Sequence, residues 1–253
     1  MERNIYQSIA ERTDKQIYLG IVGPVRTGKS TFIKSFMEAL VLPNIDNVYQ
    51  KERARDELPQ SGSGRTIMTA EPKFVPEEAV KITIDDSVSL SVRMIDCVGY
   101  MVNGAIGQFE GDQPRMVNTP WFDHEIPFEQ AAEIGTQKVI CDHSTVGLLV
   151  TTDGSICGLP RINYTGAEER AVRELKQIGK PFVILLNSTA PQKEETCQLR
   201  QSLQEKYEAP VLALDIKNLT ASELNKVLET ALYQFPITQL RFDLPAWAGA
   251  LSC

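Results

Sequence analysis

The chain has 253 residues, 42% of them hydrophobic, and a formal net charge of −7. That is enough for one α/β domain with insertions or two small domains, and the acidic balance without a basic stripe argues against nucleic acid as the main partner. Five widely spaced cysteines (Cys97, Cys141, Cys157, Cys197, Cys253) form no C-x-x-C pair and only His124 and His143 are present, so reduced thiols in a cytosolic protein are expected rather than a disulfide framework or a zinc centre.

Residues 1–16 read as a polar arm of mixed charge without the apolar core of a signal peptide. No stretch approaches the ~18 apolar residues of a membrane span. Attachment to a membrane is therefore expected only through a partner or a surface helix. Ile17 to Val22 predicts a buried strand. It runs into Gly23-Pro24-Val25-Arg26-Thr27-Gly28-Lys29-Ser30, which fits G-x-x-x-x-G-K-[ST]. Ser30 to Met37 predicts a helix with Phe32, Ile33 and Phe36 on one apolar face. Strand, loop and helix in this order are what a phosphate-binding loop needs. Gly23 and Gly28 let the backbone curl until its N–H groups face one oxyanion, with the helix N-terminus behind them. Lys29 then reaches the β- and γ-phosphates, and the Ser30 hydroxyl sits on Mg²⁺. Pro24, Val25, Arg26, Thr27 and Thr31 complete the candidate nucleotide-binding stretch.

The helix is expected to continue to about Val41 and to end at Leu42-Pro43-Asn44, because a residue before proline avoids the helical region. Asn44 to Pro76 reads as a long polar loop, with a solvated charged run from Lys51 to Glu57 and a flexible Pro59-Gln60-Ser61-Gly62-Ser63-Gly64. Val80–Ile84 and Ser87–Ile95 alternate as strands around an Asp85-Asp86 turn. The second of them leads into Asp96-Cys97-Val98-Gly99. Tyr100 to Pro127 is a second long irregular stretch.

A regular rhythm follows. Helices are predicted over 129–142, 167–178, 193–207 and 222–233, and strands over 146–152, 182–186 and 210–214. Continuous apolar strands alternating with amphipathic helices imply a mostly parallel sheet with helices on both faces. The expected fold is a three-layer α/β P-loop NTPase, GTPase-like, with one antiparallel edge strand. The domain is placed at 17–235, with switch-type loops at 43–76 and 100–128. Residues 236–253 read as the start of a missing or truncated second domain.

Phosphoryl transfer needs a second Mg²⁺ anchor and a group that reports the γ-phosphate. Asp96 ends an apolar strand, where ligands gather in open α/β sheets. Asp96-x-x-Gly99 is the D-x-x-G pattern of switch-type nucleotidases, and Gly99 offers a bare backbone N–H to the γ-phosphate. A sensor threonine is expected in the first long loop. Thr66 and Thr69 are the candidates and Thr69 is preferred, so the metal set is Ser30, Thr69 and Asp96. Guanine-specific relatives carry N-K-x-D after the fifth strand; here Asn187-Ser188-Thr189-Ala190 keeps the Asn and lacks the Asp. Losing the carboxylate that pairs with guanine removes a strongly discriminating contact, and ATP is favoured. Tyr100 replaces a water-orienting Gln directly after D-x-x-G, so slow hydrolysis is expected. Arg26, inside the loop, is a candidate for cationic charge supplied in cis, as by an arginine finger. The candidate catalytic set is Lys29, Thr69, Asp96 and Arg26.

The strings GPVRTGKST (Gly23 to Thr31), DELPQ (Asp56 to Gln60), TIMTAEPKF (Thr66 to Phe74), DCVGY (Asp96 to Tyr100) and NTPW (Asn118 to Trp121) together resemble the stage IV sporulation protein A family, spore-coat morphogenetic ATPases of endospore-forming Firmicutes. The resemblance runs from about residue 5 to 247. It implies a translation-factor-related GTPase fold turned to ATP, with Lys29 as the phosphate-binding Lys, Asp96 on the Mg²⁺ side and Thr69 as the sensor. The family has a Thr pair at the sensor; here the second position is Ala70. It also implies that ATP hydrolysis drives self-assembly into a static polymer on the forespore surface, in the mother-cell cytoplasm. Docking is implied through stage V sporulation protein M, a small amphipathic membrane peptide, with other coat proteins recruited afterwards. The membrane-peptide contact belongs to a C-terminal part of the family that lies past Trp247.

An ATP-binding, slowly hydrolysing assembly protein is thus the expected function. Three rival readings are a guanine-nucleotide switch acting on ribosomes or RNA, a small-molecule kinase, and a nucleotide-binding structural module without turnover.

Overall fold

The structure is a computed structural model that describes residues 16–45, 47–59, 72–85, 88–105 and 107–235. Six strands form the main sheet: β1 Gln16–Val22, β2 Lys73–Asp85, β3 Val88–Asp96, β4 Val146–Thr152, β5 Phe182–Asn187 and β6 Val211–Leu214. Their spatial order is β6-β5-β4-β1-β3-β2. All neighbours pair in parallel except β2, which runs antiparallel to β3 at one edge. The sheet direction reverses its winding at β1, so the C-terminal ends of β1, β3 and β4 open onto one crevice.

The helices are α1 Lys29–Phe36, α2 Val48–Asp56, α3 Phe128–Lys138, α4 Ile162–Ile178, α5 Glu194–Tyr207 and α6 Ala221–Leu232. Strands β4 and β5 are buried at every position. Alternate residues feed opposite layers. Leu148, Val150, Val183 and Leu185 pack with Phe32, Ile33 and Phe36 of α1 and with Leu224, Val227 and Leu228 of α6. Leu149, Ile184 and Leu186 pack with Ala171, Val172 and Leu175 of α4 and with Leu203 and Tyr207 of α5. Each fully buried Leu or Ile contributes about 1.5–3 kcal/mol by leaving water, so the two apolar layers fix the sheet that carries the crevice.

The structure departs from the sequence reading at element boundaries and in the two long segments. The charged run expected as solvated loop is helix α2. Its N-cap Asn47 accepts hydrogen bonds from Tyr49 N (2.9 Å) and Gln50 N (3.2 Å). Arg53 pairs with Glu57 at 3.1 Å and with Glu77 at 2.8 Å. Only Ala54 is buried, so no apolar period marks this helix in the sequence. Strand β2 begins at Lys73 rather than Val80, because a register shift between Val75 and Val80 carries the strand past Pro76. Helix α4 starts at Ile162, just after Pro160. Within 100–128, residues 109–110 pair with 113–114 and residues 116–117 with 126–127. Helix α1 passes through a π-helical turn, Met37–Val41, into a 3₁₀ turn at Leu42–Asn44. Among the described residues, no helix is long and apolar enough to cross a membrane.

Candidate nucleotide site

The loop from Gly23 to Gly28 leaves β1 and enters α1. Gly28 has φ 97°, and a Cβ there would stand 2.5 Å from Asn187 Nδ2. The loop is held from within. Thr27 Oγ1 donates to Pro24 O at 3.0 Å, and Lys29 Nζ donates to Pro24 O at 2.6 Å and to Gly23 O at 3.4 Å. Lys29 is 5% exposed. Burial pushes its ammonium below the ordinary lysine range, opposed by the nearby Cys97 and Asp96. A buried cation whose bonds go to neutral carbonyls is poised for an anion.

Asp96 ends β3 beside Ile21 of β1. Its Oδ2 accepts the Ser30 hydroxyl at 2.8 Å, while its Oδ1 is buried without a hydrogen-bond partner. Burial raises the Asp96 pKa, opposed by the Ser30 hydrogen bond and by Lys29. An orphaned carboxylate oxygen next to a hydroxyl is a hard-oxygen donor set. Among the described residues no group of three or more His, Cys, Asp or Glu could hold a metal. The Ser30 hydroxyl and the Asp96 carboxylate are the kind of oxygen donors that Mg²⁺ takes where it keeps several waters and uses phosphate oxygens.

Gly99 closes the site from the other side. Its φ is 96°, and a Cβ would lie 2.1 Å from Gly23 O and 2.5 Å from Lys29 Nζ, so only glycine fits. Its N–H donates to Thr136 Oγ1 of α3 at 3.2 Å. Tyr100 N donates to Gly23 O at 3.2 Å, and Val25 N donates to Tyr100 O at 2.9 Å. The Tyr100 hydroxyl is hydrogen-bonded to Glu174, and the Arg170 guanidinium lies 4.8 Å from the centre of its ring. Burial, with Glu174 beside it, raises the phenol pKa. Tyr100 is thus an anchor that fastens this segment to the loop and to α4.

Asn187 ends β5. Its Nδ2 donates to Thr27 O at 2.9 Å and its Oδ1 accepts Ile216 N at 3.2 Å. Both ends of the amide are used to tie the phosphate loop to the turn after β6.

The family described as Stage IV sporulation protein A, ATPase domain, matches residues 1–236. The chain belongs to this family. It is 56% identical over 251 residues to stage IV sporulation protein A of Clostridioides difficile (strain 630), covering 99% of this chain and 51% of that protein. It is 53% identical over 249 residues to the protein of the same name from Bacillus anthracis, covering 98% and 51%. With that of Bacillus subtilis (strain 168) it shares 52% over 248 residues, covering 98% and 50%. The chain spans about half the length of these curated relatives. Among solved structures, the SsGBP and GDP complex aligns with a TM-score of 0.48 at 13% identity, over 90% of this chain and 56% of that one.

Gly23 to Thr31, Asp96, Gly99 and Asn187 converge at one end of the sheet. Thr66, Thr69 and Ala70 lie outside the described residues. Arg26 has the left-handed φ of 63°. Its carbonyl accepts the Cys157 thiol at 3.0 Å, and its charge opposes the rise of the buried Tyr164 phenol to about 12. The sequence reading missed Thr136, because a mid-helix threonine carries no local mark of a contact made 37 residues away. It also missed the turn after β6. The signal there was Asp215, which caps Ile216–Asn218 by accepting Lys217 N at 3.2 Å.

Proposed function

We propose that the chain binds ATP with Mg²⁺ and hydrolyses it slowly, and that this turnover drives self-assembly of the whole protein into a basement layer of the spore coat. The observation that carries the reading is the meeting of Lys29 Nζ, the Ser30–Asp96 pair and the Gly99 backbone around one loop. Lys29 and the loop N–H groups hold the phosphates. Ser30 and Asp96 hold the metal, with Thr69 as the third candidate ligand. Mg²⁺, when bound, neutralises charge on the β- and γ-oxygens. Gly99 reports the γ-phosphate, and Arg26 is the candidate for added cationic charge. Tyr100 stands where a water-orienting Gln would follow D-x-x-G, and its hydroxyl is hydrogen-bonded to Glu174, which supports slow turnover.

Adenine is favoured because Ala190 stands where guanine-specific sites place a carboxylate, and Asn187 spends its amide on Thr27 and Ile216. The remaining assignments follow the family resemblance: the partners are further copies of the protein, stage V sporulation protein M and other coat proteins, at the forespore surface in the mother-cell cytoplasm. The membrane is reached only through a partner, and nucleic acid is not a ligand. Competition between ATP and GTP for the purified chain tests the nucleotide assignment. ATP is expected to bind more tightly; a tenfold preference for GTP (~1.4 kcal/mol) would overturn it in favour of a guanine-nucleotide switch.

A further inference from the structure

Two backbone N–H groups of the segment after Asp96 are already committed inside the chain. Gly99 N–H goes to Thr136 Oγ1 at 3.2 Å, and Tyr100 N–H goes to Gly23 O at 3.2 Å. Thr136 is 0% exposed. Its hydroxyl donates to Ala132 O at 2.7 Å, with Cys97 Sγ a more distant alternative acceptor at 3.6 Å, and its oxygen accepts from Gly99. The same face of α3 carries Glu133, one turn earlier. Glu133 holds Arg170 at 3.0 Å, and Arg170 in turn bonds Glu174 at 3.2 Å and lies over Tyr100. One helix therefore grips two successive residues of the D-x-x-G-Y segment, the first directly and the second through an ion-pair chain.

We propose that Thr136 competes with the γ-phosphate for the Gly99 N–H and so sets how strongly the site distinguishes a triphosphate from a diphosphate. The inference rests on the reading that Gly99 reports the γ-phosphate. A hydrogen bond weakens steeply away from linearity, so a γ-phosphate that draws this N–H toward itself weakens its bond to Thr136. That weakening also loosens the hold of α3 on the loop. A diphosphate makes no such demand, and the Gly99–Thr136 bond persists in its presence. Thr136 acts as a positioning residue, reaching the phosphate only through Gly99.

Calorimetry of the chain with Mg²⁺ and either ADP or the slowly hydrolysed β,γ-imido analogue of ATP tests this. In the natural chain the analogue binds more tightly than ADP. Thr136→Val keeps the shape and removes the acceptor, so it widens the gap by about fivefold, the effect of one net hydrogen bond. The whole change falls on the analogue, with ADP affinity unchanged, while Thr136→Ser restores the natural ratio. An unchanged ratio in Thr136→Val, in a natural chain that does favour the analogue, overturns the role of Thr136 and leaves the Gly99 reading standing. A natural chain and a Thr136→Val variant that both bind ADP and the analogue equally overturn both. Should the valine variant fail to fold, Thr136→Ala gives the same readout.

Discussion

Ser30 Oγ donates a 2.8 Å hydrogen bond to Asp96 Oδ2 across 66 positions of sequence. The pairing joins the start of α1 to the end of β3, and the parallel register that sets Ile21 beside Asp96 makes it possible. It also leaves Asp96 Oδ1 buried and unpartnered, a cost to folding that a bound cation would offset.

That cost has a sign. Burial raises the folded-state pKa of Asp96, so its stabilising contribution belongs to the protonated form. It is fully present below the unfolded pKa and is lost as pH rises through the folded one. At pH 7 the carboxylate therefore works against folding. Asp96→Asn is expected to melt no lower than the natural chain without nucleotide, yet to lose at least ~100-fold in Mg²⁺-dependent turnover, the scale of a lost electrostatic contact in a transition state. Melting curves and phosphate release measured on the same preparation check both halves.

Lys29 follows parallel logic. Burial lowers its pKa, so the ammonium is held at a cost that a phosphate would relieve. Lys29→Met keeps most of the volume without the charge. The variant should melt at or above the temperature of the natural chain when alone. Mg²⁺-ATP should raise the melting temperature of the natural chain through linkage and leave that of Lys29→Met where it was.

Asn187→Ala should do the opposite and damage the scaffold. It removes the donor to Thr27 O and the acceptor of Ile216 N, both buried. Leaving such groups unpaired costs about 1–3 kcal/mol, or roughly 4–8 °C in melting temperature at ~2 kcal/mol for a domain of this size. Nucleotide affinity should fall with it, because Thr27 then loses its tether. Differential scanning calorimetry gives the first number and titration the second.

Much of this was legible in the sequence, for identifiable reasons. The phosphate loop, the D-x-x-G at the end of β3 and the apolar strands β4 and β5 rest on local pattern, and the sheet they predicted is the one observed. Helix α2 was not legible, because Asn47 and the Arg53–Glu57 pair support it while only Ala54 is buried. Strand β2 was misplaced because Pro76 breaks the alternation that the strand itself survives by a register shift. Thr136 was hidden because its partner, Gly99, is remote in the chain. Asn187 was read as a remnant of base recognition, and the structure shows in addition a strut that joins the loop to the turn after β6.

Cys97 offers a check on the packing around the site. Burial pushes its thiol up to about 11, while Cys141 is exposed. Thiolate is the reactive form. A short pulse of iodoacetamide at pH 8 should label Cys141 and spare Cys97, as read by peptide mass spectrometry. The same shift links Cys97 to stability with a defined sign. Its contribution is complete below the ordinary thiol pKa of 9.0 and is lost as pH rises through about 11.

Phosphate release from ATP by the purified chain, with and without Mg²⁺ and beside a Lys29→Ala control, addresses the central claim most directly. Slow release that requires Mg²⁺, disappears in Lys29→Ala and is not matched by GTP is the result predicted. Release that persists in Lys29→Ala, or that proceeds faster from GTP than from ATP, would contradict it.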